Sequence, residues 1–108
     1  MSASVDPFRA IADPTRRAML DQLAERGSLT VGELAAEFPD LVASGISKHL
    51  MTLRAARLVT AHKDGRNQHY AIDRDGWRAA FDPWVQRYDT YWSTALRRLS
   101  DAATDPDH

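Results

Sequence analysis

The chain has 108 residues, enough for one modest domain whose core would gain from a partner subunit, and a composition 44% hydrophobic and 27% charged fits a folded globular protein rather than a disordered one. It contains no cysteine, which excludes disulfides, thiolate catalysis and cysteine-ligated metal. No apolar run approaches the roughly 20 residues of a membrane span, and the start MSASVDPF has no apolar signal core, so a cytoplasmic location is expected. The net charge of -1 hides an uneven distribution: residues 42 to 72 carry Lys48, Arg54, Arg57, Lys63 and Arg66 against Asp64 alone, while the flanking segments are acidic, which nominates the middle for contact with a polyanion.

Asp followed by Pro occurs at Asp6-Pro7, Asp13-Pro14 and Asp82-Pro83, each pairing an N-cap acceptor with a residue suited to the first helical position, so three helix starts are predicted there. The second opens DPTRRAMLDQLAERG, in which Met19, Leu20, Leu23 and Ala24 form an apolar stripe and Gly27 supplies a stop. In LTVGELAAEF, Thr30 and Glu33 make a capping box and Leu29 and Leu34 a hydrophobic staple, predicting a short helix over about 31 to 38.

After the breakers Pro39 and Asp40, Ile46, Leu50 and Leu53 resume helical spacing and point inward. Ser44, Ser47, Lys48, Met51 and Ala55 fall on the opposite side, with Thr52 and Arg54 on its flanks. LVTAHKDGRNQHYAI then reads as two short strands around Asp64-Gly65, a hairpin whose tip carries Lys63, Arg66, Asn67 and Gln68. In the last third, Trp77, Phe81, Trp84, Tyr88, Trp92, Ala95 and Leu99 step by three or four as an amphipathic helix requires. Pro83 is expected to divide this stretch, with a longer helix from Pro83 to about Ser100. The stripe is longer than so small a chain can easily cover, which favours a helix shared between two subunits.

Ser47, Lys48 and His49 stand side by side but do not read as catalytic: Ser47 and His49, two apart on a helix, point in nearly opposite directions, and there is no strained nucleophile elbow around them. His62 and His69 face each other across the hairpin, yet two ligands without a third are weak grounds for a metal site. A short capped helix, a turn, and a second helix with a small, polar, basic outward face have the layout of a helix-turn-helix with its second helix in the major groove. The hairpin would then lie as a wing along the adjacent backbone.

At this point the blocks IADPTRRAMLDQL, LTVGELAAEF, ISKHLMTLRAARLV and DGRNQHYAI together resemble the ArsR family of winged-helix repressors over roughly residues 8 to 72. WVQRYDTYWSTALRRL is similar to the dimerisation helix of the branch without known metal sites. The resemblance implies a homodimer assembled through the first and last helices, binding a pseudo-palindromic operator and blocking transcription, often of its own operon. The short helix VGELAAEF lacks the thiols of the metal-sensing members, the last helix has no histidine, and Val42 stands where a capping serine is common.

The expectation is therefore a single mainly α domain over residues 1–108 with a small β-hairpin: a winged helix-turn-helix over about 31–57, a wing over about 58–72 and a dimerisation helix over about 83–100. DNA contacts are expected from Ser44, Ser47, Lys48, His49, Thr52, Arg54, Lys63, Arg66, Asn67 and Gln68, and dimer contacts from Phe8, Trp84, Tyr88, Trp92, Leu96 and Leu99. No catalytic residue, cofactor, metal or membrane contact is expected; the partners are double-stranded DNA, a second copy and an effector of unknown identity. The rival reading is a winged-helix protein-interaction module, against which the lysines and arginines on both helix and wing argue.

Overall fold

A computed structural model describes residues 5–104, and its first two helices begin at the first two Asp-Pro pairs. In α1 (Pro7–Ala10) the Asp6 carboxylate accepts from the Phe8 amide, and in α2 (Pro14–Arg26) Asp13 accepts from the Arg16 amide at 2.9 Å. Gly27, at φ 88°, ends α2 by donating its amide to the Leu23 carbonyl. Of the predicted stripe on α2, Met19, Leu20 and Leu23 are buried and Ala24 is exposed.

The capping box of α3 (Val31–Glu37) is formed in both directions: Thr30 Oγ1 accepts from the Glu33 amide at 3.1 Å, and Glu33 Oε1 accepts from the Thr30 amide at 2.9 Å. The next helix, α4, spans Ala43–Ala55 and buries Ile46, Leu50 and Leu53 completely, as their spacing requires.

Three strands follow the pattern β1 (Ser28–Thr30), β2 (Val59–Asp64) and β3 (Asn67–Ile72), antiparallel in the order β1-β3-β2. Asp64 pairs with Asn67, so the hairpin loop is Gly65-Arg66, and Gly65 at φ 64° supplies the positive φ that the first position of a type II′ turn needs. The sequence reading missed β1: Leu29 is a staple residue, but Ser28–Thr30 also pairs with His69–Ala71. Three residues carry no period of their own, and only the arrival of β3 gives them a ladder. One sheet face holds Leu29, Val59, Ala61, Tyr70 and Ile72 in register, with Leu29 and Val59 buried.

By contact density the chain forms two units, one up to Trp77 and one from Arg78 onward. The first holds the core described above. In it, the corner between α4 and β2 is closed by a Schellman arrangement, Leu58 N–H to Leu53 carbonyl at 2.9 Å and Arg57 N–H to Arg54 carbonyl at 3.0 Å, with Leu53 and Leu58 both fully buried. Arg57 occupies the left-handed position, φ 64°, where glycine is usual. The Leu58 carbonyl then accepts from the Asp73 amide at 3.0 Å and the Trp77 indole at 3.2 Å.

The last helix, α5, runs from Arg74 to Thr104, which corrects two sequence expectations. It begins nine residues before Pro83, capped by Asp73, whose Oδ1 accepts from the Gly76 amide at 2.9 Å; and Pro83 lies inside it rather than dividing it. Proline there has no amide hydrogen to donate, so it forgoes the bond to the carbonyl of Ala79. Asp82-Pro83 is therefore not a start. In the second unit Phe81 is buried at 8% exposure, whereas the large apolar side chains from Trp84 onward are about half exposed or more and Ala95 is half-buried.

Candidate nucleic-acid interface

α4 turns Ser44, Lys48, Met51 and Ala55 away from its buried stripe, and all four are exposed. Ser47 and Thr52, on either side of this row, are half-buried, and Arg54 is exposed. Val42 is the N-cap and supplies no side-chain hydrogen bond; the Gly45 and Ile46 amides both turn back to its carbonyl, at 3.0 and 3.2 Å. The helix thus starts at Ala43 with small residues and without a side-chain cap.

His49 is placed differently from its neighbours. It is half-buried, and its Nδ1 lies 3.5 Å from Nη1 of Arg16, at the long limit of a hydrogen bond. A guanidinium can only donate, so this contact is a hydrogen bond only when Nδ1 carries no proton. Arg16 also donates from Nε to the Ala10 carbonyl at 2.7 Å and from Nη2 to the Arg9 carbonyl at 3.3 Å. One arginine on α2 thereby ties the end of α1 to the flank of α4. Asp13, beside it, is held below the usual carboxylate range, first by the Arg16 amide and then by the Arg16 guanidinium and His49, against the opposing effect of burial. The Thr30 amide lowers Glu33 in the same way.

On the hairpin, Lys63, Arg66, Asn67 and Gln68 are all exposed. Lys63 and Gln68 are cross-strand partners continuing the core face of the sheet beyond its buried part, and Arg66 sits in the two-residue turn. His62 and His69 pair on the opposite face with rings stacked at 5.4 Å and 19°. No group of three or more potential metal ligands occurs among the described residues. Lys48, Arg54, Lys63 and Arg66 take part in no ion pair among the described residues, in contrast to Arg26, which pairs with Glu37 at 3.3 Å.

The residues expected at a dimer contact are all exposed: Phe8 on α1, and Trp84, Tyr88, Trp92, Leu96 and Leu99 on α5. Tyr91 and Val85, exposed on the edges of the same stripe, were not singled out by the sequence reading, because they step outside its strict three-and-four path. Trp84 and Tyr88 contact one another at 5.2 Å between ring centroids, as residues four apart on a helix can. No helix among the described residues is long and apolar enough to cross a membrane.

Comparison with known proteins bears on what this arrangement is. A helix-turn-helix domain family matches residues 11–62. The chain is 38% identical to the HTH-type transcriptional regulator Rv2034 of Mycobacterium tuberculosis, over 91% of this chain and 89% of that protein. It is also 38% identical to the transcriptional repressor SdpR of Bacillus subtilis, over 61% of this chain and 71% of the relative. Among solved structures, an ArsR family transcriptional regulator superposes with a TM-score of 0.68 at 36% identity, covering 82% of this chain and 88% of the other.

Proposed function

The chain belongs to the ArsR family of winged helix-turn-helix transcriptional regulators, and from that premise we propose that it is a homodimeric repressor that reads a pseudo-palindromic operator through α4 and grips the flanking backbone with its β2–β3 wing. It is a DNA-binding regulator and not an enzyme, as its named relatives are. The observation that carries the finer reading is that Lys48 and Arg54 on α4 and Lys63 and Arg66 on the wing are exposed and outside any ion pair among the described residues. Unpaired cations on both elements suit a phosphate backbone.

Ser44, Ser47, Lys48 and Thr52 form the face toward the base edges; Arg54, Lys63, Arg66, Asn67 and Gln68 contact the backbone, and His49 meets the DNA from the helix flank. The functional parts are the helix-turn-helix over 31–57, the wing over 58–72 and a dimer helix that includes 83–100. Phe8, Trp84, Tyr88, Trp92, Leu96 and Leu99 meet their counterparts across a two-fold axis, which sets the two recognition helices for half-sites about one DNA turn apart. Such a regulator works in the cytoplasm, with an effector of unknown chemistry releasing the DNA.

The test is the salt dependence of DNA binding. With two of the three cations Arg54, Lys63 and Arg66 per subunit on phosphate the log-log slope should be about -4, and with all three about -5, at roughly 0.9 per phosphate. Arg66→Ala should flatten it by about 1 to 2 units and weaken all sequences alike. A wild-type slope near zero would rule out this surface as the DNA contact.

A further inference from the structure

We infer that Met51 reads a thymine methyl group in each half-site, making it a specificity-determining residue of the operator contact. The inference rests on the DNA-reading role proposed above for α4. A single exposed methionine is ordinary on a protein surface, so its exposure of 69% alone carries little. Its position carries more. Ser44, Lys48, Met51 and Ala55 follow one another at intervals of four, three and four residues and form the row directly opposite the buried Ile46, Leu50 and Leu53. Ser44 and Ala55 are short, so Lys48 and Met51 are the two side chains of that row that reach out.

The chemistry then selects the base. Lys48 is a donor suited to the guanine acceptors O6 and N7, whereas the Met51 thioether donates nothing. Placed against a guanine or adenine acceptor, or against the cytosine amino group, Met51 would displace water and leave a polar group without a partner. The one apolar group that any base presents in the major groove is the thymine 5-methyl, which a flexible, polarisable thioether can cover. Met51 lies three residues beyond Lys48, about 4.5 Å along the helix, and base pairs are spaced about 3.4 Å apart, so the two readouts should fall one or two base pairs from each other.

The experiment selects a preferred site from random duplex DNA with the full chain, then replaces each thymine of that site by uracil, which removes only the methyl. One thymine per half-site should respond, its replacement weakening wild-type binding by about fourfold in one half-site and about fifteenfold in both, from the burial of one methyl group. Met51→Ala should bind the thymine and uracil versions of that site equally, and the position should lie within two base pairs of the one where Lys48→Ala loses discrimination. Because Met51 is exposed, the variant should melt as wild type does. If Lys48→Ala loses discrimination but no uracil replacement acts through Met51, methyl reading is wrong and α4 still reads the DNA. If neither variant alters discrimination, the role of α4 falls and the inference with it.

Discussion

Gly76 is the residue whose replacement most directly tests the packing that aims the wing. It lies in the first turn of α5, where a Cβ would sit 1.7 Å from the carbonyl oxygen of Arg57, 2.8 Å from the carbonyl carbon and 3.1 Å from Cγ of Asp73. The first two atoms are backbone and a Cβ has no rotamer, so nothing can turn aside. Reaching ordinary contact near 3.5 Å needs a shift of more than about 1 Å. That shift would strain the Asp73 amide to Leu58 carbonyl bond at 3.0 Å, the Trp77 indole to Leu58 carbonyl bond at 3.2 Å, and the Asp73 cap on the Gly76 amide at 2.9 Å. Two or three bonds at about 1 kcal/mol each, with overpacking of about 1–3 kcal/mol, oppose a helix-propensity gain for Ala of about 1 kcal/mol. The clash wins, and Gly76→Ala should cost about 2–5 kcal/mol. Urea denaturation would read this as a lower midpoint at unchanged m-value, with Gly32→Ala as control, since a Cβ there meets only Thr30 Oγ1 at 3.8 Å. A Gly76→Ala protein as stable as wild type would refute the argument that this corner is closed by backbone contact.

Three further outcomes follow from the same geometry. Arg57→Gly removes the left-handed strain at φ 64° and should raise stability by about 0.5–1 kcal/mol in thermal denaturation, the gain net of glycine's greater freedom when unfolded. Asp13→Ala should cost about 1 kcal/mol at neutral pH. Because Asp13 is shifted below its unfolded value of 3.8, its contribution is present above that value and fades as pH falls through the folded one, so a wild-type advantage that persists undiminished at about pH 2 would contradict the capping role. Trp92→Ala, removing a ring 60% exposed in the single chain, should give a species whose sedimenting mass falls toward one chain on dilution and whose affinity for a two-half-site operator collapses; a wild type that is monomeric at micromolar concentration would remove the dimer reading.

Much of the fold was legible because its signals are local. Asp6, Asp13 and the Thr30–Glu33 box each act on an amide within three residues, so their effect is written in the sequence spacing itself. The inward set Ile46, Leu50 and Leu53, and with it the outward row of α4, follows from a period of 3.6, and Asp64-Gly65 defines the wing through one positive φ. These features determined the helix-turn-helix, the wing and the exposed cations that carry the DNA reading.

Tertiary structure decided the features whose partners lie far along the chain. Ser28–Thr30 is a strand only because His69–Ala71 arrives beside it, and Arg57 holds a glycine's conformation because Leu58 and Gly76 close the corner around it. His49 looked like one more groove residue, yet it is half-buried and its Nδ1 lies 3.5 Å from the guanidinium of Arg16, 33 positions away. Pro83 read as a helix start from its neighbours alone; the helix that Asp73 caps outweighs the single bond it forgoes. Local spacing fixes what a segment can become, because capping and periodicity act within a few residues. Which strand pairs, which glycine cannot be replaced and which histidine meets an arginine depend on contacts that exist only once distant segments have met.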